Sequence, residues 1–246
     1  MSATVAVSGA RGRLGSLVCE VIEAHPAFEL GAQLSSASGP EAGADAAILF
    51  DVSRPDASPG IVERAVRRGQ RVIVGTSGWS AERLGDLERV MGETPGSSVI
   101  VVPNFSLGSV LGTVLAQVAA PYFDSVEIVE AHHAAKVDSP SGTAVRTAEL
   151  VAAAREAGGG VDIEAPFAEQ RARGELIAGV PVHSLRLQGV IARQEVRFGG
   201  AGEVLTITHD THSQDSYRAG IRAALEAVGD STGLVVGLDR ILGIGR

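Results

Sequence analysis

The chain has 246 residues, 45% of them hydrophobic, enough for one or two domains at roughly 150 residues each. A net charge of -8 at neutral pH works against a nucleic-acid or anionic-membrane partner, since both need a basic surface. All but one of the 21 basic residues are arginine; the exception is Lys136, so a chain that uses arginine for generic positive charge keeps a single ammonium.

The first hundred residues alternate short β-type runs with helical patterns. Ala3 to Ser8 alternates through Val5 and Val7, Gly9 to Gly15 interrupts it, and Leu14, Leu17, Val18, Val21 and Ile22 recur at helical spacing. Phe28 to Leu34 and Ala46 to Val52 read as the second and third strands. The next helix is expected to start with Ser58 as its cap and Pro59 in its first turn, and to stop at Gly69. Val72 to Gly75 and Val99 to Pro103 read as strands flanking a helix from Ser80 to Met91. Strands separated by such helices imply right-handed βαβ units and a parallel sheet.

After Asn104 the pattern changes. Leu107, Val110, Leu111, Val114, Leu115 and Val118 form an apolar helical stripe, beside a small face of Gly108, Gly112 and Ala116 that would let another backbone come close. A strand from Val126 to Ala131, a helix from about Thr143 to Glu156 and a loop with Gly158, Gly159 and Gly160 follow. His183 to Ala192, Gln194 to Phe198 and Val204 to His209 read as strands that could pair antiparallel, as in a second domain of α+β type. The tail returns to helix at Tyr217 to Val228, then to a short apolar segment from Leu234 to Ile244.

A lone cysteine, Cys19, cannot form an intrachain disulfide, and no basic residue precedes Arg11; a reduced, cytoplasmic setting without a secretory signal is expected. Ser97 to Phe123 carries no charge, but Pro103, Asn104, Gln117 and Pro121 divide it into strand, loop and helix, so no membrane span is expected.

Three loops fall where an open α/β sheet binds ligands. Gly9, Gly12 and Gly15 sit between the first strand and first helix, where glycines permit a tight turn and close approach to a diphosphate, and the helix N-terminus offers free N–H groups. Arg11 and Arg13 add formal charge there. The second and third loops are Gly75-Thr76-Ser77-Gly78 and Pro103-Asn104-Phe105-Ser106. Contacts to a dinucleotide are therefore expected from Gly9, Ala10, Arg11, Gly12, Arg13 and Leu14, from Gly75, Thr76 and Ser77, and from Val102, Pro103, Asn104 and Phe105. The second strand ends in Gln33-Leu34-Ser35-Ser36 rather than in the acid that usually holds the ribose hydroxyls, so NADPH is expected to serve at least as well as NADH.

The densest chemistry lies between Glu130 and Ala144. His132 and His133 can move protons near neutral pH, Lys136 offers a compact positive charge to a carboxylate or a developing anion, and Ser141, Gly142 and Thr143 open a helix as an anion site. No metal is expected, because adjacent histidines without a nearby cysteine or third ligand lack a zinc pattern.

This segment resembles the signature of the dihydrodipicolinate reductase family, E-x-H-H-x-x-K-x-D-x-P-S-G-T-A, with Ser139 where alanine is usual. The likeness extends to Gly9–Gly15, Asp51-Val52-Ser53-Arg54-Pro55, the two later loops, His183-Ser184-Leu185-Arg186, Gln194-Glu195-Val196 and Gly237-Leu238-Asp239, and so spans nearly the whole chain. The missing acid after the second strand and a short Ser35 to Asp45 connection depart from the pattern. The resemblance implies an α/β fold: a Rossmann-like parallel-sheet nucleotide domain from residues 1–106 and 213–246, and an α+β domain from 107–212 whose open mixed sheet builds a homotetramer. It implies NAD(P)H-dependent reduction of 4-hydroxy-tetrahydrodipicolinate to tetrahydrodipicolinate with loss of water, in the diaminopimelate route to lysine. His132 matches the proton donor and acceptor, Lys136 the second proton donor, and His133, Gly142 and Thr143 the contacts to a small dicarboxylate substrate.

Two rivals are a different two-domain amino-acid dehydrogenase, such as an aspartate dehydrogenase, and a non-catalytic dinucleotide sensor. The first leaves the His-His-x-x-Lys and Pro-Ser-Gly-Thr cluster unexplained, and the second has no need of a proton donor beside an anion site.

Overall fold

The computed structural model describes residues 2–159 and 163–244. Gly160 of the expected glycine loop, and residues 245–246 of the expected nucleotide domain, lie outside them. In chain order the elements begin β1 (Ala3–Ser8), α1 (Arg13–Glu23), β2 (Phe28–Leu34), β3 (Ile48–Asp51), α2 (Ser58–Arg67), β4 (Arg71–Val74), α3 (Ala81–Gly92), β5 (Ser98–Val101) and α4 (Leu107–Ala119). They continue with β6 (Ser125–His133), α5 (Gly142–Ala157), β7 (Glu175–Ile177), β8 (Val180–Leu187), β9 (Ala192–Gly200), β10 (Glu203–Thr211), α6 (Arg218–Val228), β11 (Gly233–Val236) and α7 (Leu238–Leu242). The chain forms two compact units, one from Met1–Leu107 with Tyr217–Ile244 and one from Gly108–Ser216.

The first unit is built on a six-stranded sheet in the order β11-β5-β4-β3-β1-β2, every pair parallel. Strands buried on both faces are continuous apolar runs, as Val72-Ile73-Val74 and Val99-Ile100-Val101 are. Ala6, Leu49, Val72, Val74, Val99 and Val101 face α2 and α3 through Val62, Val66, Leu87 and Val90. The alternate residues Val5, Val7, Phe50, Ile73 and Ile100 are buried on the side of α1 and α6, whose Ile22, Ile221 and Leu225 are also fully enclosed. The β2–β3 connection is a run of turns in place of a helix, and buried Gln70 closes it by donating to the carbonyls of Gly43 (2.9 Å) and Ala46 (2.8 Å).

One local expectation is corrected here. Ser58 is not the cap of α2: Ala57 holds that position, and Ser58 is fully buried with its hydroxyl turned to Asp51. An N-cap serine accepts from the helix N–H groups, whereas the Ser58 hydroxyl donates to the carboxylate at the end of β3. Pro59 and Gly69 do stand at the start and just past the end of α2, Gly69 with φ +76°.

The second unit carries a five-stranded mixed sheet, β10-β9-β6-β8-β7, in which only β6–β8 is parallel. The short strand β7 falls in a segment whose sequence shows no alternation. One face packs Val126, Ile128, Val182, Val196 and Phe198 against α4 and α5. The other presents an ion-pair lattice, Glu127 with Arg173 and His183, and Glu195 with Arg193 and Arg197, beside exposed Leu185, Leu187 and Val204. Helix α4 turns its small face inward: a Cβ on Gly108 would come within 2.5 Å of the His209 ring, and Ala116 is fully buried. What approaches that face is a set of side chains on β10, not a backbone; of the apolar stripe Val114 is buried, while Leu111, Leu115 and Val118 are exposed, Leu115 at 54% and Val118 at 61%.

The tail is an integral layer of the first unit, since β11 pairs with β5 and Gly220 of α6 approaches the backbone of Phe105 so closely that a Cβ would lie 2.0 Å from its carbonyl oxygen. Gly220→Ala should destabilise the protein by about 3 kcal/mol or more and lower the midpoint of thermal unfolding by several degrees; an unchanged midpoint would show that α6 is not held at this distance.

Candidate active site

The strand order reverses at β1, whose neighbours are β2 on one side and β3 on the other, and open α/β sheets bind ligands at such a switch point. The three expected loops follow β1, β4 and β5, and with β3 these strands lie side by side, so the loops share one edge of the sheet. At the first, Gly9 has φ +82°, and a Cβ on Gly15 would lie 2.1 Å from the Gly9 carbonyl oxygen. Only glycine lets the turn fold this tightly onto the start of α1, which has no acid in its first turn and exposes Arg11 and Arg13. This is a cradle suited to a diphosphate.

The remaining loop residues divide by which part of them faces outward. Ala10, Val102 and Phe105 are buried, Phe105 against Phe50 at 5.7 Å between ring centres, so their side chains are core and only their backbones could meet a ligand. Thr76 is buried too, and its hydroxyl donates to Asp51 at 2.8 Å. Asn104 accepts the backbone N–H of Ser106 at 2.9 Å, while Pro103 and Ser77 are exposed and Leu14 is partly so. Asp51 is the residue the spacing argument missed: fully buried, it accepts from Ser58, Thr76 and the backbone N–H of Ser53, and so joins β3, α2 and the Gly75–Gly78 loop. Its signal was a carboxylate ending an otherwise apolar strand.

In the second unit the proton-handling and anion-handling groups share one framework. Positions alternate along β6, so Glu130 and His132 point to the same face as Val126 and Ile128, while His133 points the other way and is exposed. Glu130 has no exposed surface. Its Oε2 meets His132 Nδ1 at 2.6 Å and Arg186 Nη1 at 3.0 Å, and its Oε1 accepts from Arg186 Nη2 at 2.9 Å and the Ser141 backbone N–H at 3.2 Å. Arg186 also donates to the carbonyl of Asp138 at 2.6 Å, and the Asp138 carboxylate meets Lys136 Nζ at 2.7 Å. Ser141 caps α5 by accepting the Ala144 N–H, so Gly142 and Thr143 form its first turn. His132, Lys136, Gly142 and Thr143 thus belong to one hydrogen-bonded cluster, and His133 reaches it through its carbonyl, which accepts the Lys136 N–H at 3.1 Å.

Electrostatics fix the resting charges. Burial is the strongest single influence on Glu130 and opposes its ionisation, yet hydrogen bonds from Arg186, Ser184 and His132 together outweigh it and hold the carboxyl below its usual range. Burial likewise lowers the affinity of His132 for a proton; Glu130 pulls it back up, Lys136 and Arg186 push it down, and the net shift is downward. The Lys136 ammonium holds the Asp138 carboxyl below its ordinary value. The roles of Glu130 and Arg186 went unread in the sequence, although both share strand parity with core residues, Ile128 and Val182, and a buried acid requires a partner.

Among the described residues, no cluster of three or more histidine, cysteine or acidic side chains is arranged to hold a metal, and no helix is long and apolar enough to cross a membrane.

A doubly wound parallel sheet with a glycine cradle, accompanied by an α+β unit bearing an imidazole, an ammonium and a helix N-terminus, defines a two-unit oxidoreductase of the nucleotide-dependent kind. The chain belongs to the dihydrodipicolinate reductase family: the model of that family's N-terminal part matches residues 3–105 and that of its C-terminal part residues 108–242. The 4-hydroxy-tetrahydrodipicolinate reductase of Clavibacter michiganensis is 54% identical over 98% of this chain and 87% of its own length. That of Streptomyces coelicolor is 43% identical over 97% of both chains. Among solved structures, the dipicolinate-bound dihydrodipicolinate reductase from Paenisporosarcina sp. TG-14 matches with a TM-score of 0.81 and 29% identity, covering 98% of this chain and all of the other.

Because an unfolded histidine takes up its proton near 6.5 and folded His132 resists it, acid favours the unfolded chain below that pH. The free energy of unfolding should therefore fall between about pH 7.5 and about pH 5.5, and should fall less in His132→Ala, as measured by urea titrations at both. Equal falls in the two proteins would mean that folding does not perturb this imidazole.

Proposed function

We propose that this chain reduces 4-hydroxy-tetrahydrodipicolinate to tetrahydrodipicolinate, with loss of water, at the cluster around His132. The observation that carries the reading is that the buried Glu130 carboxylate holds His132 and the N-terminus of α5, while its partner Arg186 holds Asp138, which pairs with Lys136. A dicarboxylate needs a cation and the positive end of a helix, which Lys136 and the first turn of α5 with Gly142 and Thr143 offer, with His133 as a further contact. NADH or NADPH, when bound, supplies the hydride; Gly9 to Leu14 and the loops at Gly75–Ser77 and Val102–Phe105 would hold it, and the glycine cradle fits a diphosphate. Adding hydride to C4 of a conjugated imine leaves an enamine that must gain a proton at the neighbouring carbon. His132 delivers that proton, and Lys136 stands as the second donor.

The second strand supports use of the phosphorylated cofactor. Ser35 and Ser36 follow its last residue, Leu34, and Glu41, the first acid beyond, is paired with Arg68 at 2.7 Å. Arg11 and Arg13 are exposed just after Gly9 and Ala10, whose N–H groups donate to the Leu34 carbonyl at the end of this strand, and suit a 2′-phosphate. The second face of the mixed sheet, with exposed Leu185, Leu187 and Val204, supports assembly of copies into a homotetramer. A single cysteine, Cys19, buried and unbridged, fits a cytoplasmic enzyme.

His132→Ala should lower kcat by about 10²- to 10⁴-fold while leaving the cofactor KM within a few-fold, in an assay coupled to the synthase that makes the substrate. Wild-type turnover in this variant would reject His132 as the donor, and no nicotinamide oxidation by the native protein would reject the reaction. In the same assay the KM for NADPH should be no higher than that for NADH; a strong NADH preference would refute the reading of Ser35 and Ser36.

A further inference from the structure

We infer that Glu130 and Arg186 are positioning residues for the proton donor: the buried carboxylate, clamped by a bidentate guanidinium, holds the neutral His132 ring as its Nδ1–H tautomer and leaves Nε2 as the atom that exchanges protons with the substrate. The inference rests on the reading of His132 as proton donor. It follows from what each atom can do. An ionised carboxylate only accepts, and Glu130 Oε2 lies 2.6 Å from His132 Nδ1, so the proton of the neutral ring belongs on Nδ1. The carboxylate cannot rotate to another partner, because Arg186 grips both of its oxygens, at 3.0 and 2.9 Å, and the Ser141 N–H takes a further lone pair at 3.2 Å.

The same guanidinium donates to the Asp138 carbonyl at 2.6 Å and the Leu185 carbonyl at 2.7 Å. It therefore registers the turn that carries Lys136 against the strand that carries His132, and through Ser141 the start of α5 as well. A pair present only for stability gains nothing over apolar residues of similar volume. This pair instead spends its remaining acceptor on an imidazole. The charges around the ring have the matching sense: Lys136 and Arg186 disfavour the imidazolium, and Glu130 is the one group of the cluster that favours it.

Three measurements decide the matter. In native protein labelled with ¹⁵N-histidine, at a pH above the titration of His132, its resonances, identified by their loss in His132→Gln, should report a protonated Nδ1 and a bare Nε2. The opposite tautomer overturns the inference, and this measurement needs no variant of Glu130 to fold. Second, Glu130→Gln replaces the acceptor by a group that can donate, so kcat should fall about 10- to 10³-fold with the cofactor KM unchanged. The limb of kcat/KM that declines as His132 loses its proton should move about one unit or more toward acid. Third, Glu130→Asp, which keeps the charge, should return the limb to its native position and restore part of the turnover. A Glu130→Gln protein that melts earlier but keeps the native pH limb assigns Glu130 to stability alone and overturns the inference. Wild-type turnover in His132→Ala removes the proton-donor reading and the inference with it, whereas a slow His132→Ala beside a native-like Glu130→Gln overturns the inference alone.

Discussion

Taking a carboxylate out of water costs several kcal/mol, and Glu130 is wholly out of it. The cost is recovered only if its hydrogen-bond partners stand at fixed places, and those places are the layout of the second unit. Arg186 lies directly across from His132 in the β6–β8 register, and Ser184 across from Glu130. A slip of one residue would send both partners to the other face of the sheet and leave the acid unpaired. The ion pair thus fixes the strand register, the capped start of α5 and the turn with Lys136 at once.

The first unit solves a similar problem without a cation. Asp51, at the end of β3, lies fully enclosed too, but its partners are the hydroxyls of Ser58 and Thr76 and a backbone N–H. The Trp79 indole in turn donates to Ser58 at 3.1 Å. In both units the residues that would touch ligands lie near strand ends, on the loops that follow or in the first turn of a helix, while fully buried acids, Asp51 and Glu130, hold those segments in place.

This division explains what was legible in the chain before folding. The sheet of the first unit was readable because its strands are continuous apolar runs between helices, and the glycine triplet was readable because backbone constraints show directly as missing side chains. His132, Lys136, Gly142 and Thr143 stood out by residue type and by likeness to a family. Partnerships were not readable. Nothing in Ser58 distinguishes a helix cap from a ligand of Asp51 until β3 and α2 meet, and nothing in α4 says that Gly108 and Gly112, not Leu111 and Leu115, face the sheet. The choice depends on His209 and Ile207, almost a hundred residues away. Strand β7 has only three residues and takes its conformation from β8. Glu130 was the intermediate case: its parity marked it as buried, but its partner lies 56 positions along the chain.

The placement of β11 has a consequence for synthesis on the ribosome. The sheet of the first unit contains residues from near both ends of the chain, and its edge strand next to β5 is made last. Until Gly233–Val236 emerges, the backbone edge of Ser98–Val101, an apolar strand buried on both faces in the finished protein, has no partner. The nascent chain therefore carries an open, adhesive strand edge throughout translation of the whole second unit. Loss of the last few turns of sequence would leave that edge permanently uncovered, so truncated products of this gene are marked for aggregation or degradation.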